Sequence, residues 1–208
     1  MAGLFDALSF QRGPALRNRF ALAPLTNLQS HDDGSLSSDE LRWLSLRAQG
    51  GFGLTSTCAA HVEARGQGFR GQLGVFDDRH LDGLARLADM ISAEGSVGIV
   101  QLHHAGRRSP RDLVDGAPVA PSADPETGAR ALSIVEVEDV AESFVLAALR
   151  AEQAGFHGVE IHGAHGYLLC QFLSPALNRR EDRYGGTPEN RARLLMDIVA
   201  GVRSRCRP

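Results

Sequence analysis

The feature that most limits the fold is a repeated order: an apolar run, a polar loop and a helix-period segment recur four times along the chain. The strand candidates are Arg19 to Pro24, Gly53 to Ala60, Val97 to Leu102 and Gly158 to His162. Each is short, apolar and bounded by turn residues. The first helix opens at Ser37-Ser38-Asp39-Glu40, where Ser37 and Glu40 have capping-box spacing. Leu41, Leu44 and Ala48 then share a face, and Gly50-Gly51 ends it. The second helix repeats Leu81, Leu84, Ala88 and Ile91 and stops at Gly95. The third is expected from about Val137 to Ala154, ended by Gly155. The fourth opens with Thr187-Pro188-Glu189, a cap, a proline at the first helical position and an acid in the first turn, and runs to about Arg203.

Alternating strands and helices imply a parallel sheet. The helix-to-strand links are short and carry glycine. The strand-to-helix loops are long, above all His103 to about Ser133 and the loop holding Pro175 and Gly185-Gly186. Long loops on one side of the sheet are how a (β/α) barrel builds its active site. A doubly wound sheet would carry a glycine-rich phosphate turn after its first strand; here that turn is Pro24-Leu25-Thr26-Asn27. The expected class is therefore α/β, a (β/α)8 TIM-barrel type with about the first four units present. Residues 1–208 are expected to form a single partial barrel domain. A full barrel takes about 250 residues. The expectation is a fragment, a truncated gene product, or a half that pairs with a missing C-terminal half or with another copy, since open sheet edges invite association. Pro208 is expected where the next loop enters a fifth strand.

Composition excludes several classes. The net charge is −3, so no basic excess draws nucleic acid or an anionic membrane surface. No run of roughly 18 apolar residues marks a membrane helix. Met1 to Phe10 is too short and too mixed for a signal peptide. The three cysteines, Cys58, Cys170 and Cys206, are odd in number and far apart, which argues against a disulfide framework and for a reducing, cytoplasmic setting.

In a barrel, chemistry collects where strands end. The first strand ends at Pro24-Leu25-Thr26, a turn with one hydroxyl. The second ends at Cys58-Ala59-Ala60-His61. Small residues there admit a flat ring or suit tight packing; His61 reads as solvated or locally bonded, and Cys58 as a core residue. The third ends at Gln101-Leu102-His103-His104. The glutamine offers a donor and an acceptor together, a match for the imide edge of a flavin or pyrimidine. The two histidines are strand neighbours and point to opposite faces. The fourth strand carries His162-Gly163-Ala164-His165-Gly166-Tyr167. His162 and His165 converge only if the chain leaves the strand between them. Two neutral imidazoles polarise one oxygen, and a phenol two residues on donates a proton. A metal site is the alternative, needing a carboxylate such as Glu160 on the same side, and a purely structural pair is the third. Spacing leaves all three open.

The segment Gly155 to Leu169 resembles the fourth-strand signature of the old yellow enzymes, FMN-dependent NADH:flavin oxidoreductases. Gln171-Phe172-Leu173-Ser174-Pro175, Asn178-Arg179-Arg180, Asp182, Tyr184-Gly185-Gly186 and Glu189-Asn190-Arg191 extend the match. Asn18-Arg19-Phe20, Ala23 to Thr26, Arg47-Ala48, Gln101-Leu102, His104, Gly106-Arg107 and Pro121-Ser122 agree in order. The resemblance implies a (β/α)8 barrel holding FMN at the strand ends, reduced by NAD(P)H, with flavin N5 giving hydride to an activated alkene such as an enone or nitroalkene. It implies that Pro24, Leu25 and Thr26 approach the flavin, that Ala59 lies against the ring and that Gln101 bonds its pyrimidine edge. It further implies that His162 and His165 bind the substrate oxygen, that Tyr167 is the proton donor, and that Asn178 to Arg191 braces the loop. The family's strand-five arginine and the phosphate-binding backbone of strands seven and eight have no counterpart in these four units.

Overall fold

In the computed structural model, which describes residues 2–207, one sheet has four strands, all parallel. They are β1 (Ala21–Leu22), β2 (Leu54–His61), β3 (Val97–His103) and β6 (Gly158–Ile161), in the spatial order β1-β2-β3-β6. Strand order follows chain order without a reversal. A doubly wound sheet has a switch point where that order turns back, so the arrangement is that of four successive barrel units. Helices α1 (Ser38–Gln49), α2 (Leu81–Ala93), α3 (Ile134–Gln153) and α5 (Pro188–Arg205) follow the four strands in turn.

The helix ends obey the residues found at them. Ser37 Oγ accepts from the Glu40 N–H at 3.1 Å, but only half of the expected capping box forms. The Glu40 carboxylate turns inward and accepts hydrogen bonds from Ser30 Oγ and Cys58 Sγ. The complete box lies at α3, where Ser133 and Glu136 cap one another. That helix starts three residues before the expected Val137, because Ile134 and Val135 are exposed and carry no face signal. Thr187 caps α5 through the Asn190 N–H at 3.2 Å, with Pro188 next, as read from sequence.

Alternation sorts the strands into two faces. Cys58, Ala60, Val100 and Leu102 point outward into one core with Leu84, Leu87 and Ile91 of α2, Val140 and Phe144 of α3, and Leu194 and Ile198 of α5. Removing this much apolar surface from water is what fastens the helices to the sheet, at roughly 25 cal/mol per Å². α5 lies so close to α3 that a Cβ at Gly201 would sit 2.6 Å from Val145 Cγ2.

Three features depart from expectation. The first strand pairs only at Ala21–Leu22, so Pro24 lies beyond the ladder, consistent with the N–H it lacks. The long loop after β3 contains a small parallel pair, β4 (Val119–Ala120) with β5 (Arg130–Ala131). The loop after β6 contains a short helix, α4 (Leu168–Leu173). Two edges, β1 and β6, pair on one side only, and a groove of about 510 Å³ runs between the β6 edge and α5. The position expected for Pro208 falls outside the described residues.

Candidate active site at the strand ends

The inner face of the sheet is built in layers. Ala59, Gln101 and Glu160 are register partners across β2, β3 and β6. A bulge prepares this layer: the register shifts between Ser56 and Ala59, and the Gln101 N–H goes to Thr57 Oγ1 at 3.2 Å. Bulges re-aim side chains next to binding sites. Gln101 is buried, and its Nε2 donates to Glu160 Oε1 at 2.6 Å, which leaves the amide oxygen free. One step further toward the loops, His61 and His103 are register partners. His162 follows β6 there, with its N–H on the Leu102 carbonyl at 3.0 Å.

The two imidazoles singled out by spacing come together. The ring centroids of His162 and His165 lie 5.2 Å apart, with planes at 87°. The Tyr167 ring lies 5.1 Å from His162 and 4.2 Å from His103. The chain achieves this by leaving the strand after Ile161 and placing His165 in the left-handed region, φ +56°. Histidine is among the few non-glycine residues that tolerate it. Arg108 Nη1 donates to the His165 carbonyl at 2.6 Å, and its guanidinium lies 4.7 Å over the Tyr167 ring.

Electrostatics keep His162 a neutral donor. Burial lowers its pKa first and the nearby His165 adds to this, while Glu160 opposes. Its Nδ1 accepts from the Ala164 N–H at 3.3 Å, so the proton sits on Nε2. A neutral imidazole N–H beside a second imidazole and a phenol can polarise one ligand oxygen and pass a proton to a carbon beside it.

Pro24, Leu25 and Thr26 end β1 at the same end of the sheet, with Leu25 53% exposed. No hydrogen bond among the described residues ties them to the histidine cluster. Ala59 is buried, its carbonyl held by Gln72 Nε2 at 3.0 Å. These residues suit a flat ring: a methyl-sized wall, a free amide oxygen and an open apolar Leu25 at one mouth. Glu160 lies on the His162 face, as the metal alternative required, yet it bonds Gln101; among the described residues no three ligating side chains converge on one point.

The strand-end histidines divide as alternation predicts. His104 turns to the helix side, its Nε2 3.4 Å from Glu63 Oε2. Burial raises the Glu63 pKa, but the nearby His104 imidazole and the Arg65 guanidinium outweigh it and leave the value at about 2. His61 is buried rather than solvated, with Nδ1 2.9 Å from the Glu63 carbonyl. Cys58 is a buried core thiol whose pKa is raised by burial and by Glu40. Sequence reasoning set His103 and His104 on opposite faces but gave His103 no place in the site, and it passed over Arg108. The period-2 alternation that pairs Gln101 with His103 could have placed His103 there.

Buried neutral histidines make the fold acid-sensitive. Burial is the first cause holding His61 and His80 at about 4, and His103 well below 6.5. These folded-state pKa values lie below the unfolded value of about 6.5. The unfolded chain therefore gains protons that the folded chain refuses. Stability is full above about pH 6.5 and falls toward pH 4, by up to about 1.4 kcal/mol per pH unit for each of His61 and His103. Urea midpoints measured from pH 7 to 5 are expected to fall steadily; a flat profile contradicts this.

The comparisons identify the family. Residues 3–207 match the model of the NADH:flavin oxidoreductase / NADH oxidase family. Probable NADH-dependent flavin oxidoreductase YqiG of Bacillus subtilis is 41% identical over 204 residues, covering 96% of this chain and 55% of the relative. NADPH dehydrogenase of Bacillus licheniformis is 41% identical over 197 residues, covering 92% and 57%. An old yellow enzyme homologue from Zymomonas mobilis superposes with TM-score 0.91 at 31% identity, over 98% of this chain and 60% of that one. Morphinone reductase bound to tetrahydroNAD gives 0.89 at 32%, over 98% and 61%. The chain thus spans a little over half the length of these relatives. By its family match, its layered strand ends and its likeness to solved old yellow enzymes, this chain belongs to the NADH:flavin oxidoreductase / NADH oxidase family.

Proposed function

We propose that these four units form the substrate-facing half of an FMN-dependent, NAD(P)H-driven reductase of activated alkenes such as enones and nitroalkenes. The observation that carries this is the cluster of His162, His165 and Tyr167 above the Ala59–Gln101 layer. Pro24, Leu25, Thr26, Ala59 and Gln101 would hold the flavin. FMN, when bound there and reduced by NAD(P)H, would supply the hydride for the alkene's β-carbon. His162 and His165 grip the carbonyl or nitro oxygen and stabilise charge that gathers there. Tyr167 gives a proton to the α-carbon. The proposed substrates are small-molecule activated alkenes. No helix among the described residues is long and apolar enough to cross a membrane, and the setting is proposed to be the cytoplasm.

The free edges of β1 and β6 favour a second reading, in which the 208-residue chain alone is a catalytically incompetent half-barrel or association module. A flavin's phosphate gains much of its anchoring from backbone donors and charge. The strands that supply them in the family lie beyond these four units. The chain purified alone is expected to carry far less than one flavin per molecule by visible absorbance; stoichiometric yellow protein would overturn this.

A further inference from the structure

His103 is fully buried, yet only one of its ring nitrogens has a partner. Nδ1 lies 3.0 Å from Nε2 of Gln72, itself fully buried. The orientation of that amide follows from its other bonds. Its Oε1 accepts from the Gly68 N–H at 2.6 Å, and its Nε2 donates to the Ala59 carbonyl at 3.0 Å. An amide nitrogen only donates. Nδ1 of His103 must therefore be the bare acceptor, and the ring proton sits on Nε2. That Nε2–H meets no oxygen or nitrogen. The imidazole packs against two rings: nearest is Tyr167, edge to face, with centroids 4.2 Å apart and planes at 80°, and His162 lies farther, at 5.4 Å and tilted. Burying an N–H without a partner is costly, and an aromatic face is a weak acceptor that lowers that cost.

We propose that His103 is a positioning residue: Gln72 fixes its tautomer, and its Nε2–H rests on the Tyr167 ring, holding the phenol between this imidazole and the Arg108 guanidinium. The consequence is a mechanical link. Gln72 grips the Ala59 carbonyl with one proton and His103 with the other, so the β2 wall and the phenol move together. Burial, with His162 and His104 adding to it, holds His103 neutral, as a fixed tautomer requires. Of the proposed function, only the role given to the phenol bears on this; the arrangement itself needs no flavin.

The test is therefore made on the 208-residue chain without flavin. Long-range proton–nitrogen NMR of the imidazoles, with His103→Phe for assignment, is expected to give His103 as a single tautomer, bare at Nδ1 and protonated at Nε2. The chain has two tyrosines, Tyr167 and Tyr184, so their ring signals are separable. His103→Phe and Gln72→Leu are expected to shift the Tyr167 ring signals and leave those of Tyr184 in place. A His103 protonated at Nδ1 or averaging between forms would overturn the proposal. So would Tyr167 signals indifferent to both substitutions. If Gln72→Leu fails to fold, the wild-type tautomer and His103→Phe decide the matter. Loss of alkene reduction in the complete enzyme for other reasons would leave these spectra unchanged, so the two ideas fail separately.

Discussion

Tyr167→Phe is expected to slow alkene reduction by about 10²–10⁴-fold, the usual worth of a positioned proton donor. Reduction of the flavin by NAD(P)H should be nearly untouched. The measurement needs a barrel completed with the C-terminal units of a family relative, with the two half-reactions followed separately. Phenylalanine keeps the ring that packs on His103 and His162 and under Arg108, so only the hydroxyl is lost. Tyr167 caps α4, but no side-chain cap bond involves it, so the helix start does not depend on the hydroxyl. Equal loss in both half-reactions would reject the donor role.

The second large effect is expected at the imidazoles. His162→Ala should lower the alkene half-reaction by about 10²–10³-fold, as removal of one oxyanion donor does. His162 is the better prepared of the pair, since it is buried and its tautomer is set by the Ala164 N–H. His165 is exposed and held through its backbone, by its left-handed turn and the Arg108 bond. Its replacement should cost less, and Arg108 substitutions should partly mimic it. Normal rates for His162→Ala would remove the oxyanion role.

Much of this was legible in the residues because local rules and the fold agree. The alternation of strand and helix, the glycines after α1, α2 and α3 and the Thr187-Pro188-Glu189 start all state their structure locally. The convergence of His162 and His165 was legible as a departure from the strand between them, but the backbone makes it at His165 and Gly166, both in the left-handed region, and not at Gly163. A Cβ at Gly163 would meet nothing within 4 Å, whereas one at Gly106 would strike Gln171 Oε1 at 2.4 Å. Gly106 thus serves a close approach to a buried amide, and no such demand falls on Gly163. What was not legible depends on partners distant in sequence. Glu40 left its expected cap because Cys58 and Ser30 needed a buried acceptor, 18 and 10 residues away. Helix α4 hides in a loop whose proline and glycines signalled irregular chain. Gln72 sits in a glycine-rich loop with no periodicity, and only the register of β2 against β3 brings it to Ala59 and His103.

The central claim is that two imidazoles act on one oxygen. A double-mutant cycle on His162 and His165, read from the rate of the alkene half-reaction in a completed barrel, tests it most directly. Groups serving one atom are expected to couple, so the double variant should lose less than the product of the single losses, by about 0.5–3 kcal/mol. Losses that multiply independently, or single variants that react at the parent rate, would contradict the account.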